Sequence, residues 1–180
     1  MKETPSEELM QAVASGDLGA FNEIVRSHQE LAWRIAWRFL GDRHAAEDAV
    51  QEAFLRILDG AASYRPSASF KTFLFRVVTR LCLDHVRKHR PAPTDRLPQV
   101  ADSEPDPATR MADAECEQSV RATLDSLPPN QRMAVVLRYW EGLNCRDVAA
   151  AMETSDKAVE RLLARAREAL QPKLVRLIEE

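Results

Sequence analysis

Lys157, Glu160, Arg161 and Arg165 are spaced to share one side of a helix near the C-terminus. Their chemistry is that of duplex reading. An arginine fork meets guanine O6 and N7, a glutamate accepts from cytosine N4, and a lysine meets phosphate or base. Ahead of them lies a short apolar stretch, 143–152, that carries Arg146. A three-residue turn, Glu153-Thr154-Ser155, joins it to the longer helix from Asp156. Short helix, turn and long helix are the parts of a helix-turn-helix. The plainer alternative is an amphipathic hairpin with a solvated charged face.

A second positive element lies about 80 residues upstream. Residues 70–90 hold Lys71, Arg76, Arg80, Arg87, Lys88 and Arg90 against a lone acid, Asp84. Three of the cations sit at the C-terminal end, where the helix dipole favours them. The preceding loop, 59–69, contains Gly60, Tyr64 and Pro66. Tyr64 with Phe70, Phe73 and Phe75 would suit unstacked bases, although some of these rings must be core, and Phe73 is expected among them. The alternative for the whole helix is a solvated basic face.

Cys82, His85 and His89 fall at i, i+3 and i+7, a spacing that three metal ligands could share. With no fourth ligand nearby, the expectation is a buried cysteine under a polar stripe, with no metal and no cofactor. Asp48, Gln51, Glu52 and Leu55 form an acidic side with one leucine, a combination that can mark a protein contact. No phosphate loop, nucleophile elbow, zinc-protease motif or notable carboxylate pair is present, so no enzyme activity is expected.

The net charge of −3, taken alone, argues against nucleic acid. Its distribution answers that: residues 91–120 hold seven acids against two bases, whereas 70–90 hold six bases against one acid. The local field decides where phosphate binds. Three scattered cysteines, Cys82, Cys116 and Cys145, form no disulfide framework and fit a reducing cytoplasm. The polar start, with Glu3, Glu7 and Glu8, is not expected to be a signal peptide. No membrane insertion is expected either, because Arg34 and Arg38 interrupt the apolar run of 31–40.

Five glycines and long 3.6-residue periodicities predict an all-α fold. Residues 6–58 read as three or four helices. Asp17 and Asp42 are N-caps, Gly41 is a left-handed stop, and Trp33 and Trp37 are an i,i+4 pair assigned to the core. The 46–57 segment buries Ala46, Val50, Ala53/Phe54 and Ile57. Residues 91–112 hold five of the ten prolines and many acids. They read as a flexible linker, on the order of 70 Å when extended. Two small helical domains follow from this, 1–90 and 113–180, joined by 91–112. In the second, Met133, Val136 and Tyr139/Trp140 are expected inward, Asn144 and Ser155 as caps, and Val159, Leu162/Leu163, Ala166 and Leu170 on the core side.

These residues together resemble a family. Ala46-Glu47-Asp48-Ala49-Val50-Gln51-Glu52-Ala53-Phe54-Leu55-Arg56 is similar to the polymerase-clamp-binding helix of the extracytoplasmic-function (ECF) sigma factors of bacterial RNA polymerase. Ser69-Phe70-Lys71-Thr72-Phe73-Leu74-Phe75-Arg76, with Asp84 and Arg87, resembles the segment that opens and reads the −10 element. Leu127-Pro128 with Arg132, Leu137-Arg138, Val148-Ala149, and Arg165-Ala166-Arg167 with Leu170 resemble the −35-reading domain. The resemblance spans nearly the whole chain.

It implies that Asp48, Gln51, Glu52 and Leu55 bind the polymerase core. It implies −10 contacts by Tyr64, Lys71, Arg76, Arg80, Asp84, Arg87 and Lys88, with loop 59–69 as the pocket for a flipped base. It implies −35 contacts by Arg146, Lys157, Glu160, Arg161 and Arg165. The partners implied are core polymerase, promoter DNA and an anti-sigma factor, for a cytoplasmic, stress-responsive factor that is monomeric when free. The linker is implied to thread near the polymerase active-site or RNA-exit channel. There are departures. Phe73 stands where a tryptophan is common, Leu81 where an asparagine is, and Lys157-Ala158 where the reading helix opens with Gly-Thr. Glu153 replaces the common turn glycine, at a cost of about 1 kcal/mol if the backbone there is left-handed. Two other readings stay open: a polymerase-independent helix-turn-helix regulator, which would need a dimer and a two-fold site, and a metal-binding sensor or enzyme on Cys82, His85 and His89.

Overall fold

Asp17 opens a long helix because its carboxylate accepts hydrogen bonds from the Gly19 and Ala20 amides, at 2.8 and 3.1 Å. In the computed structural model, which describes residues 5–65, 69–89 and 121–179 (the last seven as backbone only), this is the second helix. The first half comprises α1 (Ser6–Ala14), α2 (Leu18–Leu40), α3 (Arg43–Asp59), a 3₁₀ turn (Ala61–Ser63) and α4 (Phe70–Lys88). Gly41 ends α2 at φ 75°, and Asp42 caps α3 by accepting from the Ala45 amide. Both were expected. Ala32 and Ala36 of α2 and Ala46, Ala49 and Ala53 of α3 are buried. Small side chains at the contact let helix axes approach closely. Val50 is only partly buried, and Ala49 fills the position expected of it.

The start of α4 is held from both sides. Ser69 Oγ accepts from the Thr72 amide, and the Glu7 carboxylate on α1 accepts from the Phe70 amide at 2.7 Å. That hydrogen bond to the charged form keeps Glu7 below the ordinary glutamate range.

In the second half residues 121–125 are helical, followed by α5 (Pro129–Val135), a π-type turn (Val136–Trp140), α6 (Cys145–Ala151) and α7 (Asp156–Glu179). The π turn corrects one expectation. Tyr139 and Trp140 are 59% and 40% exposed, not inward. The Glu141 amide bonds to the Val136 carbonyl five residues back, so the turn holds one residue more than an α-helical turn. The side chains beyond it are thereby rotated by about 100° from the 3.6-residue pattern. Met133 and Val136, ahead of the shift, are fully buried as expected.

Among the described residues there is no strand, and no helix is long and apolar enough to cross a membrane. The proposed linker 91–112, with Pro66, Arg90 and Cys116, lies outside the described residues. The two halves pack against each other, and their buried side chains form one continuous cluster. Helix α6 lies along α4, Met133 meets Thr79, and the Arg132 guanidinium covers the Phe39 ring at 4.6 Å.

Candidate nucleic-acid and polymerase interfaces

The loop after α3 turns back on α4 and brings Tyr64 onto Phe73, with ring centroids 5.2 Å apart. Arg76, one helical turn on from Phe73, lies over the same ring at 5.4 Å. These residues line a cavity of about 560 Å³ together with Arg56, Arg65, Arg80 and Glu153. That volume falls within the range of small-molecule sites and admits a nucleobase. Aromatic faces offer stacking and the four arginines offer phosphate contacts. The Tyr64 hydroxyl is buried without a hydrogen-bond partner, and its pKa is raised, first by burial and then by the charge of Glu7. A buried donor without a partner is costly.

Tyr64, Arg76 and Arg80 come together in the cavity. Lys71 turns away to lie over Phe75, and Asp84 pairs with Arg87 at 3.3 Å on the surface further along α4, beside exposed Lys88. Phe73, expected in the core, is a wall of the cavity, whereas Phe70 and Phe75 are buried at 1% and 3% exposure. Arg56 and Arg65 were not singled out as DNA contacts. Arg56 stands on the side of α3 assigned to protein docking, paired with Glu52 at 2.7 Å. Only the return of the chain onto α4 brings it to the cavity. Arg65 follows Tyr64 directly, a signal that was available.

Asp48, Gln51, Glu52 and Leu55 are all exposed along α3, and Leu55 is 55% exposed. A shallow groove of about 520 Å³ borders them, lined by Gln29, Glu30 and Trp33 of α2 and by Glu47, Val50 and Gln51 of α3. Trp33 stacks on Trp37 at 5.6 Å, and both rings are half-buried; Trp37 packs against the core as expected, whereas Trp33 lines the groove instead. The groove also enlists Trp33, which the one-helix reading of α3 could not include.

In the second half Asn144 caps α6 through the Asp147 amide, and Ser155 caps α7 through the Ala158 amide. Val159, Leu163 and Ala166 are buried. Arg146 on α6 and Lys157, Glu160, Arg161 and Arg165 on α7 are exposed. The turn residue Glu153 does take a left-handed conformation, at φ 50°.

The metal constellation does not assemble. Cys82 is buried, and burial pushes its thiol up to about 12. His85 and His89 stack on each other at 4.1 Å, and His89 Nδ1 lies 2.9 Å from the His85 carbonyl oxygen. Burial, then the neighbouring His89, lowers the His85 pKa. Among the described residues no group of three potential ligands could hold a metal ion.

A helix-turn-helix behind an aromatic, arginine-lined cavity matches known proteins at both places. The family model for sigma-70 region 2 matches residues 24–92, and that for sigma-70 region 4 matches residues 117–170. The RNA polymerase sigma-H factor of Pseudomonas aeruginosa is 31% identical over 97% of this chain and 96% of its own length. The chain belongs to the ECF sigma factors. The ECF sigma-E factor of Escherichia coli is 30% identical, with 94% of each chain covered. The ECF sigma factor SigE of Mycolicibacterium smegmatis is 34% identical over 91% of this chain, which spans 66% of that longer relative. Among solved structures, CnrH in complex with the cytosolic domain of CnrY superposes with a TM-score of 0.70 at 27% identity, covering 94% of this chain and 96% of that one. As an ECF sigma factor the chain is a transcription initiation factor. The aromatic and arginine lining of its cavity falls in the region 2 match, and Glu153 with the helix-turn-helix in the region 4 match.

Proposed function

We propose that residues 1–90 dock on core RNA polymerase and capture the −10 strand, that 91–112 link the two domains, and that 113–180 read the −35 duplex. The observation that carries this is the order of surfaces within one chain: an exposed acidic face on α3, a cationic aromatic cavity, then a helix-turn-helix. Asp48, Gln51, Glu52 and Leu55, with the adjoining Trp33 groove, form the docking face. Tyr64, Phe73, Arg76 and Arg80, with Arg56 and Arg65, receive a flipped base and its phosphates. Lys71, Asp84, Arg87 and Lys88 follow the strand outside the cavity. Lys157, Glu160 and Arg161 meet base edges, and Arg146 and Arg165 meet backbone phosphate.

The chain makes and breaks no bond itself. RNA synthesis belongs to the core enzyme, and the factor acts in the cytoplasm as a monomer until it joins the core. An anti-sigma factor is the partner class proposed for its control, supported by the complex of the neighbour CnrH with the cytosolic domain of CnrY. The test is transcription in vitro by purified core enzyme on a promoter library. Transcripts that depend on this chain, from promoters sharing both a −35 and a −10 sequence, are expected. Footprints of equal strength and sequence preference without core enzyme would instead establish a polymerase-independent regulator.

A further inference from the structure

We propose that Glu7 on α1 is a positioning residue for −10 strand capture: by holding the first turn of α4 it sets the spacing and angle of the Tyr64 and Phe73 rings that receive the flipped base. The proposal rests on the reading of the cavity given above. The two ring centroids are 5.2 Å apart, with the planes tilted by 57°. The Tyr64 hydroxyl has no hydrogen-bond partner among the described residues, so packing alone holds this ring. Its neighbour in that packing is Phe73, which stands on the first turn of α4. A binding site keeps its geometry only when supporting groups fix its side chains to within about 0.5 Å. Whatever fixes the first turn of α4 therefore fixes the cavity wall.

Two side chains bind the amides of that turn. Ser69 Oγ accepts from the Thr72 amide at 3.3 Å, from an exposed position. The Glu7 carboxylate accepts from the Phe70 amide at 2.7 Å. The shorter, charge-assisted bond is the stronger of the two, by roughly a factor of two. A negative charge there also meets the positive end of the helix. Ser69 ties the turn only to its own neighbours, whereas Glu7 comes from another helix and ties it to the rest of the fold.

Helix α1 is anchored well enough to transmit that hold. Leu9, Met10 and Val13 seat it in the core. Ser6 Oγ lies 2.8 Å from His28 Nε2 on α2. From His28 a line of rings runs to the cavity: His28 to Phe70 at 4.9 Å, Phe70 to Phe73 at 6.2 Å, and Phe73 to Tyr64. The same helix packs on the 3₁₀ turn that directly precedes Tyr64. One helix thus bears on both rings, on Tyr64 through the turn and on Phe73 through the Phe70 amide. Burial first, and then the charge of Glu7, raise the Tyr64 pKa, which puts the carboxylate within electrostatic reach of that ring. Glu7 itself does not line the cavity, so it acts through the rings and not on DNA.

The test joins full-length variants to purified core enzyme and reads a base-preference profile on a library randomised at both promoter elements. Glu7→Ala is expected to relax one −10 position about tenfold, the equivalent of one hydrogen bond to a charged group. The −35 positions and capture of core enzyme should not change. Glu7→Gln keeps an acceptor of equal reach without the charge and should relax the same position about threefold, which covers the case of a Glu7→Ala that does not fold. Val13→Ala weakens the packing of α1 but leaves Glu7 in place. It should lower the melting temperature without changing the profile. A second reading needs no DNA. The chain has two tyrosines, so 3-fluorotyrosine labelling gives two fluorine resonances, assigned with Tyr139→Phe. The Tyr64 resonance should move in Glu7→Ala, move less in Glu7→Gln and stay in Val13→Ala. A profile unchanged in both Glu7 variants, while Tyr64→Ala relaxes it, overturns the positioning role. A Tyr64 resonance that stays in place in both does the same, as does equal relaxation by Val13→Ala, which would mark a general loss of stability. A Tyr64→Ala profile unchanged at every −10 position overturns the cavity reading instead, and the fluorine resonance still judges the hold of Glu7 on the ring.

Discussion

Arg161 stands on the exposed side of α7, one helical turn beyond Lys157 and one before Arg165. A guanidinium there can fork onto a guanine, and losing such a pair removes roughly 1–3 kcal/mol of discrimination at one base pair. Arg161→Ala is therefore expected to relax a single −35 position in a base-preference profile measured with holoenzyme. A profile unchanged at every position would remove Arg161 from the base-reading set. Glu153 presents a different residue-scale case. At φ 50° it occupies a conformation in which a Cβ is crowded by the adjacent carbonyl. Glu153→Gly should raise the unfolding free energy by about 1 kcal/mol, read from denaturant melts. A loss of stability would mean that its carboxylate contributes more than its backbone costs.

At the scale of elements, α3 divides cleanly. Ala46, Ala49, Ala53, Phe54 and Ile57 face inward, and Asp48, Gln51, Glu52 and Leu55 face out. Charge reversal on the outer side touches no packing, and exposed substitutions of this kind shift stability by only about 0.5 kcal/mol. Asp48→Arg with Glu52→Arg should therefore abolish capture of core polymerase while leaving the thermal melt nearly unchanged. Undiminished capture would move the docking surface elsewhere. The π turn shows how one element can redirect a whole region. It exposes Tyr139 and Trp140 and delivers Glu141 to α2, where an uninterrupted α-helix would have turned the aromatics inward.

For the whole molecule, long-range polar contacts join elements that no local propensity connects. Glu7 on α1 holds the first amide of α4, 63 residues away. Its pKa is lowered on folding, chiefly by that hydrogen bond. A depressed carboxylate contributes stability that is present above its unfolded pKa and lost as pH falls through its folded pKa. Glu7→Gln should thus lower the melting temperature near neutral pH. The gap to the parent protein should close as pH falls below the ordinary glutamate range. A gap that stayed constant down to strongly acidic pH would show that the charge of Glu7 is not what holds α4.

The sequence by itself was enough for what depends on neighbours in the chain. The all-α class, the caps at Asp17, Asp42, Asn144 and Ser155, the Gly41 stop, the two faces of α3 and the exposed cations of α7 all follow from hydrogen bonding and periodicity within a few residues. Tertiary structure alone decided which residues meet across long separations. It put Arg56 and Arg65 beside Arg76 and Arg80, made Phe73 a cavity wall and Phe70 core, kept Cys82 apart from the histidine pair, and buried Glu141 between two arginines more than a hundred residues away. The reason is physical: helical periodicity fixes which way a side chain points from its own axis. Packing decides what it points at, because the axis positions are set by apolar burial summed over the whole chain.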